Sequence, residues 1–139
     1  MNVNEMKPGR ELDALVAEKV MGWRRVSEGE PYFWPTPEMM NRIKEQYPDV
    51  LAVDYFPAPL FSTDIAASWE VVEKLQGDGF WWSGAYKTYE LSDGTESDPL
   101  YYSRFRCVRG GVRGDHYAYA RSMPYARCLA ALKTVTNED

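Results

Sequence analysis

The side chains with the clearest chemical potential in this sequence are arginines, gathered in one stretch toward the C-terminal end. From Tyr101 to Arg127 the chain holds six arginines and one acidic residue, so this segment carries +5 and the rest of a chain of net charge −5 sums to −10. A guanidinium group binds phosphate through two parallel hydrogen bonds, and glycines let backbone N–H groups approach an anion. The pattern predicts a phosphate-binding hairpin formed by Arg104, Arg106, Arg109, Gly110, Gly111 and Arg113.

Two other interpretations of the arginine stretch stay open. Glycines between two strand-like segments are typical of an ordinary hairpin turn, whose arginines would be solvated. Clustered charge is also commonly explained by ion pairs with acidic helices elsewhere in the fold. Only the phosphate-binding hairpin requires the arginines to converge. That convergence needs either a curled sheet or a second subunit, so we expect a homo-oligomer if the site exists.

Aromatic residues are abundant in the strand-like segments beside the arginines. An exposed aromatic ring can stack a nucleic acid base, which contributes about 1–3 kcal/mol per base. We select Trp82, Tyr86 and Tyr102 as ligand-binding residues of this type. Aromatic residues are equally normal in a sheet core, and alternate residues of a strand face opposite sides. Part of the aromatic supply is therefore expected to lie beneath helices.

Groups suited to catalysis are scarce in the sequence. The single histidine, His116, can approach Cys107 across a hairpin, but nucleophilic activation also needs a third, orienting group. Zinc sites need more ligands than two cysteines and one histidine supply, and the G-x-S-x-G hydrolase signature is absent. Acidic residues between positions 93 and 98 are typical of a solvated loop. We therefore expect no catalytic residue, no bound metal and no cofactor.

Length and composition indicate one soluble domain. The chain has 139 residues, 45% of them hydrophobic, which suits a single domain spanning 1–139. No apolar run approaches the ~20 residues of a membrane span, and the first ten residues lack the apolar stretch of a signal peptide. We expect a cytoplasmic protein without membrane contact, in which both cysteines are free thiols. Its overall acidity argues against nucleic acid as a partner.

The elements that must position these residues follow from periodicity and capping. Apolar stripes at helical spacing, with Thr36, Ser62 and Ser122 as N-caps, predict helices at 11–21, 37–47, 63–76 and 123–135. Segments rich in aromatic and β-branched residues predict strands at 50–56, 80–90, 100–109 and 115–121. Helices, then a meander of strands, then a closing helix indicate the α+β class. The expected architecture is a mainly antiparallel sheet with helices packed on its faces, a three-layer α-β-α sandwich.

Three stretches of the chain form a recognisable set in a recognisable order. They are RELDALVAEKVMGW at 10–23, FSTDIAASWEVVEKL at 61–75 and ARCLAALK at 126–133. Together they resemble the phage ABA-sandwich family of small phage and prophage proteins. The resemblance implies that the protein is encoded by a phage and acts in the host cytosol. It also implies helices on both sides of a sheet. It also implies a functional kinship with the Thoeris anti-defence proteins, which sequester nucleotide immune signals, although no site residue carries over from them.

The expected function is that of a noncatalytic phage accessory or anti-defence protein. Such a protein would bind and sequester a small phosphorylated signalling ligand of the cyclic nucleotide or cyclic ADP-ribose type. One alternative is an acidic inhibitor or accessory factor that binds a host protein. Another is an enzyme acting on nucleotides, for which the sequence offers no specific motif.

Overall fold

A computed structural model of the protein describes residues 2–49, 55–109 and 112–136, with the backbone alone at 108, 109, 112 and 113. The described chain contains helices α1 (Arg10–Leu15), α2 (Pro37–Gln46), α3 (Ile65–Gly77) and α4 (Met123–Thr136). Its strands are β1 (Tyr32–Phe33), β2 (Phe56–Pro57), β3 (Trp81–Lys87), β4 (Leu100–Arg109) and β5 (Val112–Ala120). A 3-10 turn at Val3–Glu5 precedes α1, and a π-helical segment at Val16–Val20 continues it.

The predicted α+β class, with helices packed on mainly antiparallel sheet, is confirmed. Each of the four predicted helices is present, and α2, α3 and α4 agree with prediction to within two residues at either end. The first helix is divided: its second half is π-helical, and the Met21 N–H bonds to the Val16 carbonyl at 3.0 Å. A hydrogen bond from an N–H to the carbonyl five residues earlier is typical of a single π-helical turn within an α-helix. The spacing of apolar residues in the sequence does not distinguish such a turn from a regular α-helix.

The strands depart from prediction at their ends. β3 stops at Lys87, before the predicted end at 90, and the chain beyond it makes only an isolated bridge between Glu90 and Glu96. β5 begins at Val112, three residues before the predicted start. The strand predicted at 50–56 meets the described structure only at its last positions, where β2 begins at Phe56, since 50–54 lie outside the described residues.

Two of the three predicted helix caps are confirmed and one is wrong. The Thr36 hydroxyl accepts the Met39 N–H at 3.2 Å, and the Ser122 hydroxyl accepts the Tyr125 N–H at 3.3 Å. At α3 the cap is Asp64, whose carboxylate accepts the Ala67 N–H at 3.0 Å. Asp64 is the N-cap because it stands directly before the first helical residue, and aspartate is as good an N-cap as serine.

Ser62, freed from capping, joins two distant segments in the interior. Its backbone N–H donates to the Asp13 carboxylate at 2.7 Å, and its hydroxyl accepts the Gly9 N–H at 2.9 Å. Both Ser62 and Asp13 are buried. Burial raises the pKa of the Asp13 carboxyl, while its hydrogen bonds with Ser62 act in the opposite direction. The network fixes the start of α1 against the segment that leads into α3.

A two-stranded sheet completes this end of the molecule. β1 and β2 pair antiparallel, with Phe33 opposite Phe56. The Trp23 indole lies 6.2 Å from the Phe33 ring and 5.5 Å from the Phe56 ring, and 5.8 Å from the ring of Phe61. These edge and tilted contacts are the favoured geometries of aromatic pairs, and they attach the small sheet to the core.

The larger sheet has the order β3–β4–β5, with both neighbouring pairs antiparallel. Phe105 of β4 pairs with Trp82 of β3 on one side and His116 of β5 on the other. Phe105 and His116 are buried and Trp82 is half-buried, so this row belongs to the face on which α3 and α4 pack. We call this side the inner face and the opposite side the outer face.

Helix α4 occupies the centre of the fold. Its residues are buried in an unbroken run from Ala126 to Lys133. Such burial on every side of a helix requires packing partners all round, and α4 contacts β4 and β5 on one side and α3, α1 and the π-helical segment on others. Alanines at 126, 130 and 131 let these neighbours approach closely. The layers therefore run from the sheet, through α4, to the remaining helices.

A buried arginine ties α4 to its neighbours. Arg127 is 7% exposed, and its guanidinium carbon lies 5.2 Å from the Trp69 ring centroid and 4.9 Å from that of Trp82. Its Nη1 donates to the Ser68 hydroxyl at 2.9 Å, whereas its Nε is buried without a hydrogen-bond partner in the described chain. Burial lowers the pKa of Arg127, so the two indole rings, rather than a carboxylate, stabilise the charge.

One edge of the sheet also carries a lysine from this helix. Lys133 of α4 is 3% exposed, and its ammonium group donates to the Tyr117 carbonyl of β5 at 2.8 Å. The same ammonium lies 5.7 Å from the centroid of the Tyr117 ring. Because β5 is an end strand of the described sheet, this lysine places a positive charge at a strand edge.

Truncating Arg127 should destabilise the fold more than neutralising it does. Arg127→Ala removes two cation–π contacts and leaves a cavity, with an expected loss of about 2–4 kcal/mol in the free energy of unfolding. Arg127→Met refills the space and removes a desolvated charge, so its loss should be smaller. Urea unfolding followed by circular dichroism measures both, with the exposed Arg121→Ala as a control within about 0.5 kcal/mol of the parent. Equal losses for the Ala and Met variants would contradict the packing argument.

The two cysteines are free, as the sequence predicted, and differ in surroundings. Cys128 is buried on α4 while Cys107 is half-buried on β4. Burial raises the pKa of the Cys128 thiol well above its usual range, which suppresses the reactive thiolate. With a disulfide-exchange reagent at neutral pH we expect one thiol to react in the native protein and two in urea. Cys107→Ser should abolish the native reaction, and finding no thiol in urea would refute the assignment.

Candidate ligand-binding face

The outer face of the β3–β4–β5 sheet exposes large aromatic side chains. Trp81 is 82% exposed, Tyr119 54% and Tyr117 44%. By strand alternation and register these residues share the outer face with Tyr102, Arg104, Arg106 and Asp115. Several exposed aromatic residues on one sheet face are typical of an interaction site.

Three tyrosines form a cluster at one end of the outer face. The Tyr102 ring centroid lies 5.1 Å from that of Tyr119 and 6.1 Å from that of Tyr117. The rings of Tyr117 and Tyr119 are 6.1 Å apart and nearly perpendicular, at 84°. Tyr102 and Tyr119 are register partners on neighbouring strands, so cross-strand packing holds the cluster in place. It offers ring faces and edges to a flat molecule.

The two arginines of this face are held differently. Arg104 makes a fork-shaped pair with Asp115, in which Nε donates to one carboxylate oxygen at 2.7 Å and Nη2 donates to the other. Hydrogen bonding to Arg104 lowers the pKa of Asp115 and raises that of Arg104, so both stay charged near neutral pH. Arg106 is exposed and stands opposite Trp81 in register. Arg106 is therefore the cation better placed to meet an incoming anion.

The structure brings together some of the predicted site residues. Tyr102, Arg104 and Arg106 lie on one face, as strand alternation requires. The backbones of Arg109 and Arg113 lie in β4 and β5 near the hairpin end. Gly110 and Gly111 fall outside the described residues, so the predicted glycine cradle stays a prediction.

Two predicted ligand-binding residues lie on the opposite side of the sheet. Trp82 is on the inner face, where its indole N–H donates to the Ser103 hydroxyl at 2.8 Å and its ring meets Trp69 edge-on at 5.5 Å. Tyr86 shares that face, with its ring 5.8 Å from Tyr101. A ligand on the arginine-bearing face therefore meets neither Trp82 nor Tyr86.

Three members of the outer face were not selected from the sequence: Trp81, Tyr117 and Tyr119. Strand alternation could have found them, because their register partners on β4 are Arg106, Arg104 and Tyr102, which all lie on the face of Arg104. Register, however, depends on where the hairpin turns, and β5 starts three residues earlier than predicted. The residues of β5 that face the arginines can be identified only when the residue at which β5 begins is known.

Groups that could do covalent chemistry do not gather on this face. Cys107 and His116 belong to the inner face with Phe105, away from the exposed arginines. Within the described residues, no group of three or more His, Cys, Asp or Glu side chains could hold a metal ion. The chemistry supported by the outer face is binding, through stacking and charge.

The grooves on the helical side have a different character. A groove beside α1 has a volume of about 630 Å³ and is lined by basic and acidic side chains, among them Arg10, Glu11, Glu18 and Arg25. Arg25 pairs with Glu18 there, so the charges compensate one another. A groove with balanced charge gives little attraction to an anion, which leaves the outer face as the stronger candidate.

The fold and this face describe a small α+β protein with one open, aromatic and basic sheet surface. The chain belongs to the phage ABA sandwich domain family, which matches residues 14–132. This confirms the resemblance seen in the sequence and identifies a phage accessory protein. No curated protein and no solved structure matches the chain. The family name describes helices on both sides of a sheet, and the two helices that contact the larger sheet in the described part of this chain, α3 and α4, lie on its inner face. None of the described helices is long and apolar enough to cross a membrane.

The exposure of Trp81 can be tested directly. Trp34, the next most exposed indole, is 41% exposed, so iodide should quench Trp81 more than any other tryptophan in the described chain. The neighbouring Arg106 attracts the anion and strengthens this effect. We expect Trp81→Phe to remove most of the iodide-quenchable fluorescence, and Trp34→Phe to remove much less. Similar quenching in the Trp81→Phe variant and the parent would mean that the outer face is covered in solution.

Proposed function

We propose that the protein binds and sequesters a small phosphorylated nucleotide of the signalling type, without altering it chemically, in the cytosol of a phage-infected host. The observation that carries the proposal is the juxtaposition of an exposed indole, Trp81, with an exposed guanidinium, Arg106, on an open sheet face. A base can stack on the former while a phosphate binds the latter. Membership of a phage family gives the setting in which removing a host signal benefits the phage.

The charge distribution supports a small anion. The chain as a whole is acidic, with a net charge of −5, which disfavours binding of long polyanions. The field over Arg104 and Arg106 is nonetheless positive, because Asp115 neutralises only one of the two guanidinium groups by direct pairing. A compact ligand can lie within this local field without meeting the acidic remainder of the surface.

Sequestration rather than turnover fits the groups available. Stacking and ion pairing stabilise a bound molecule equally before and after any reaction, and the outer face lacks a nucleophile paired with a base. Cyclic nucleotides and cyclic ADP-ribose derivatives combine a flat base with phosphate in a small molecule. These are the ligand classes that we propose.

A second candidate function is binding of a host protein through α2. This helix has no buried residue, although Met39 and Ile43 line an apolar groove of about 290 Å³ with Pro35 and Phe56. An amphipathic helix without a buried face is suited to a partner's apolar surface. This alternative places the functional surface on α2, beside Phe56 of the small sheet and far in sequence from the arginines.

Two charge variants should move ligand affinity in opposite directions. Arg106→Ala removes a charge-assisted hydrogen bond, and the expected loss is about tenfold or more, because such bonds contribute ~1.5–3 kcal/mol. Asp115→Asn releases Arg104 from its ion pair and should tighten binding severalfold. Calorimetric titration with cyclic nucleotides and cyclic ADP-ribose isomers measures both effects.

Arg24→Ala is the matched control, because Arg24 is an exposed arginine outside the larger sheet, and its affinity should equal that of the parent. Failure of every ligand in the panel to bind at micromolar concentration would reject the proposal and favour the protein-binding alternative. Unchanged binding by Arg106→Ala and Asp115→Asn would move the site away from the outer face.

A further inference from the structure

The outer face has an order that a site for one base does not need. In register, Trp81 stands beside Arg106, Ser83 beside Arg104, and Ala85 beside Tyr102. Residues that share a face of a strand are about 6.7 Å apart, so Trp81 and the Tyr102–Tyr119 pair of the tyrosine cluster are separated by two steps, roughly 13 Å along the sheet. Arg106 lies at the level of Trp81, and Arg104 lies one step further, beside Tyr117. The two arginines of β4 therefore run from the level of Trp81 toward Tyr102.

The side chains of β3 between the two aromatic positions are small. Ser83 and Ala85, the residues of β3 that face outward there, are small and exposed. Their side chains leave a shallow strip between Trp81 at one end and Tyr102 at the other. A flat, extended molecule can lie along this strip and contact both ends at once.

Asp115 restricts where an anion can lie. It is the register partner of Arg106 on β5 and is held ionised by Arg104. Its negative charge disfavours phosphate on the β5 side of Arg106. A phosphate bound to Arg106 therefore lies toward β3, which is the side of Trp81 and of the shallow strip.

We propose that the outer face binds a dinucleotide: two bases joined through phosphate groups, with one base on Trp81, the other on the tyrosine cluster, and the phosphates over Arg106 and Arg104. This inference rests on the proposed function and specifies its ligand class. A mononucleotide satisfies one aromatic position at a time. In a dinucleotide, binding of the first base raises the effective concentration of the second.

The charge of the protein favours a free dinucleotide over a stretch of nucleic acid. Outside the segment from 101 to 127 the chain sums to −10. A longer strand carries more phosphates than a dinucleotide, so its overall repulsion from this acidic remainder is greater.

Calorimetric titration of the intact protein with AMP, the linear dinucleotide pApA and an eight-nucleotide adenylate strand tests the inference. Stacking of a second base is expected to make pApA bind about tenfold more tightly than AMP. Trp81→Leu and Tyr119→Leu should each bring pApA affinity to the level of AMP. Trp34→Leu, an exposed tryptophan of the small-sheet region, should leave it unchanged. Circular dichroism confirms that each variant is folded.

The contrary outcomes separate the two proposals. If AMP and pApA bind equally and Arg106→Ala weakens both, the dinucleotide inference is wrong and nucleotide binding stands. If neither ligand binds the parent protein, both proposals fall. If the eight-nucleotide strand binds more than tenfold more tightly than pApA, after allowance for its number of overlapping sites, the ligand is a nucleic acid strand and the inference is overturned.

Discussion

The architecture depends on the burial of helix α4 on all sides. Its neighbours are strands β4 and β5 on one flank, and α1, α3 and the π-helical segment on the others. Each element that neighbours α4 buries its apolar face against this helix. The described sheet consequently has its helical cover on one side. The residues that face away from α4 have no helix packed on them, and they include the most exposed tryptophan of the described chain.

Because helices cover only one side of the described sheet, its aromatic residues divide into a buried set and an exposed set. Trp82 and Trp81 are adjacent in sequence, yet the first encloses a buried guanidinium together with Trp69 and the second stands in solvent. A period of two residues separates them onto opposite faces. The inner member stabilises the fold, and a substitution there is expected to disturb α3, α4 and β3 together. The outer member is free of that duty, so its identity can serve recognition.

Much of the fold was predictable from the sequence because local signals were strong. The caps at Thr36 and Ser122 and the apolar stripes of the helices determine boundaries that differ from the structure by at most two residues at α2, α3 and α4. The misassigned cap at Ser62 shows a limit of such signals. Three polar residues precede α3, and choosing among them depends on Asp13, which is distant in sequence and engages Ser62. The candidate face was predicted in part for a similar reason: Arg104 and Arg106 stand on one strand, whereas Tyr117 and Tyr119 reach them only through the pairing register.

The lysine at the end of the sheet has a consequence for assembly. Lys133 sets a cation against β5, and charged lysine at a strand edge discourages further strand pairing. At the other end, β3 has a seven-residue edge with small residues from Ser83 to Ala85 at its middle. Any extension of this sheet by backbone pairing is therefore directed to β3. Within the described residues the larger sheet has one such edge, so two molecules paired antiparallel along β3 would form a closed pair with twofold symmetry rather than an open filament.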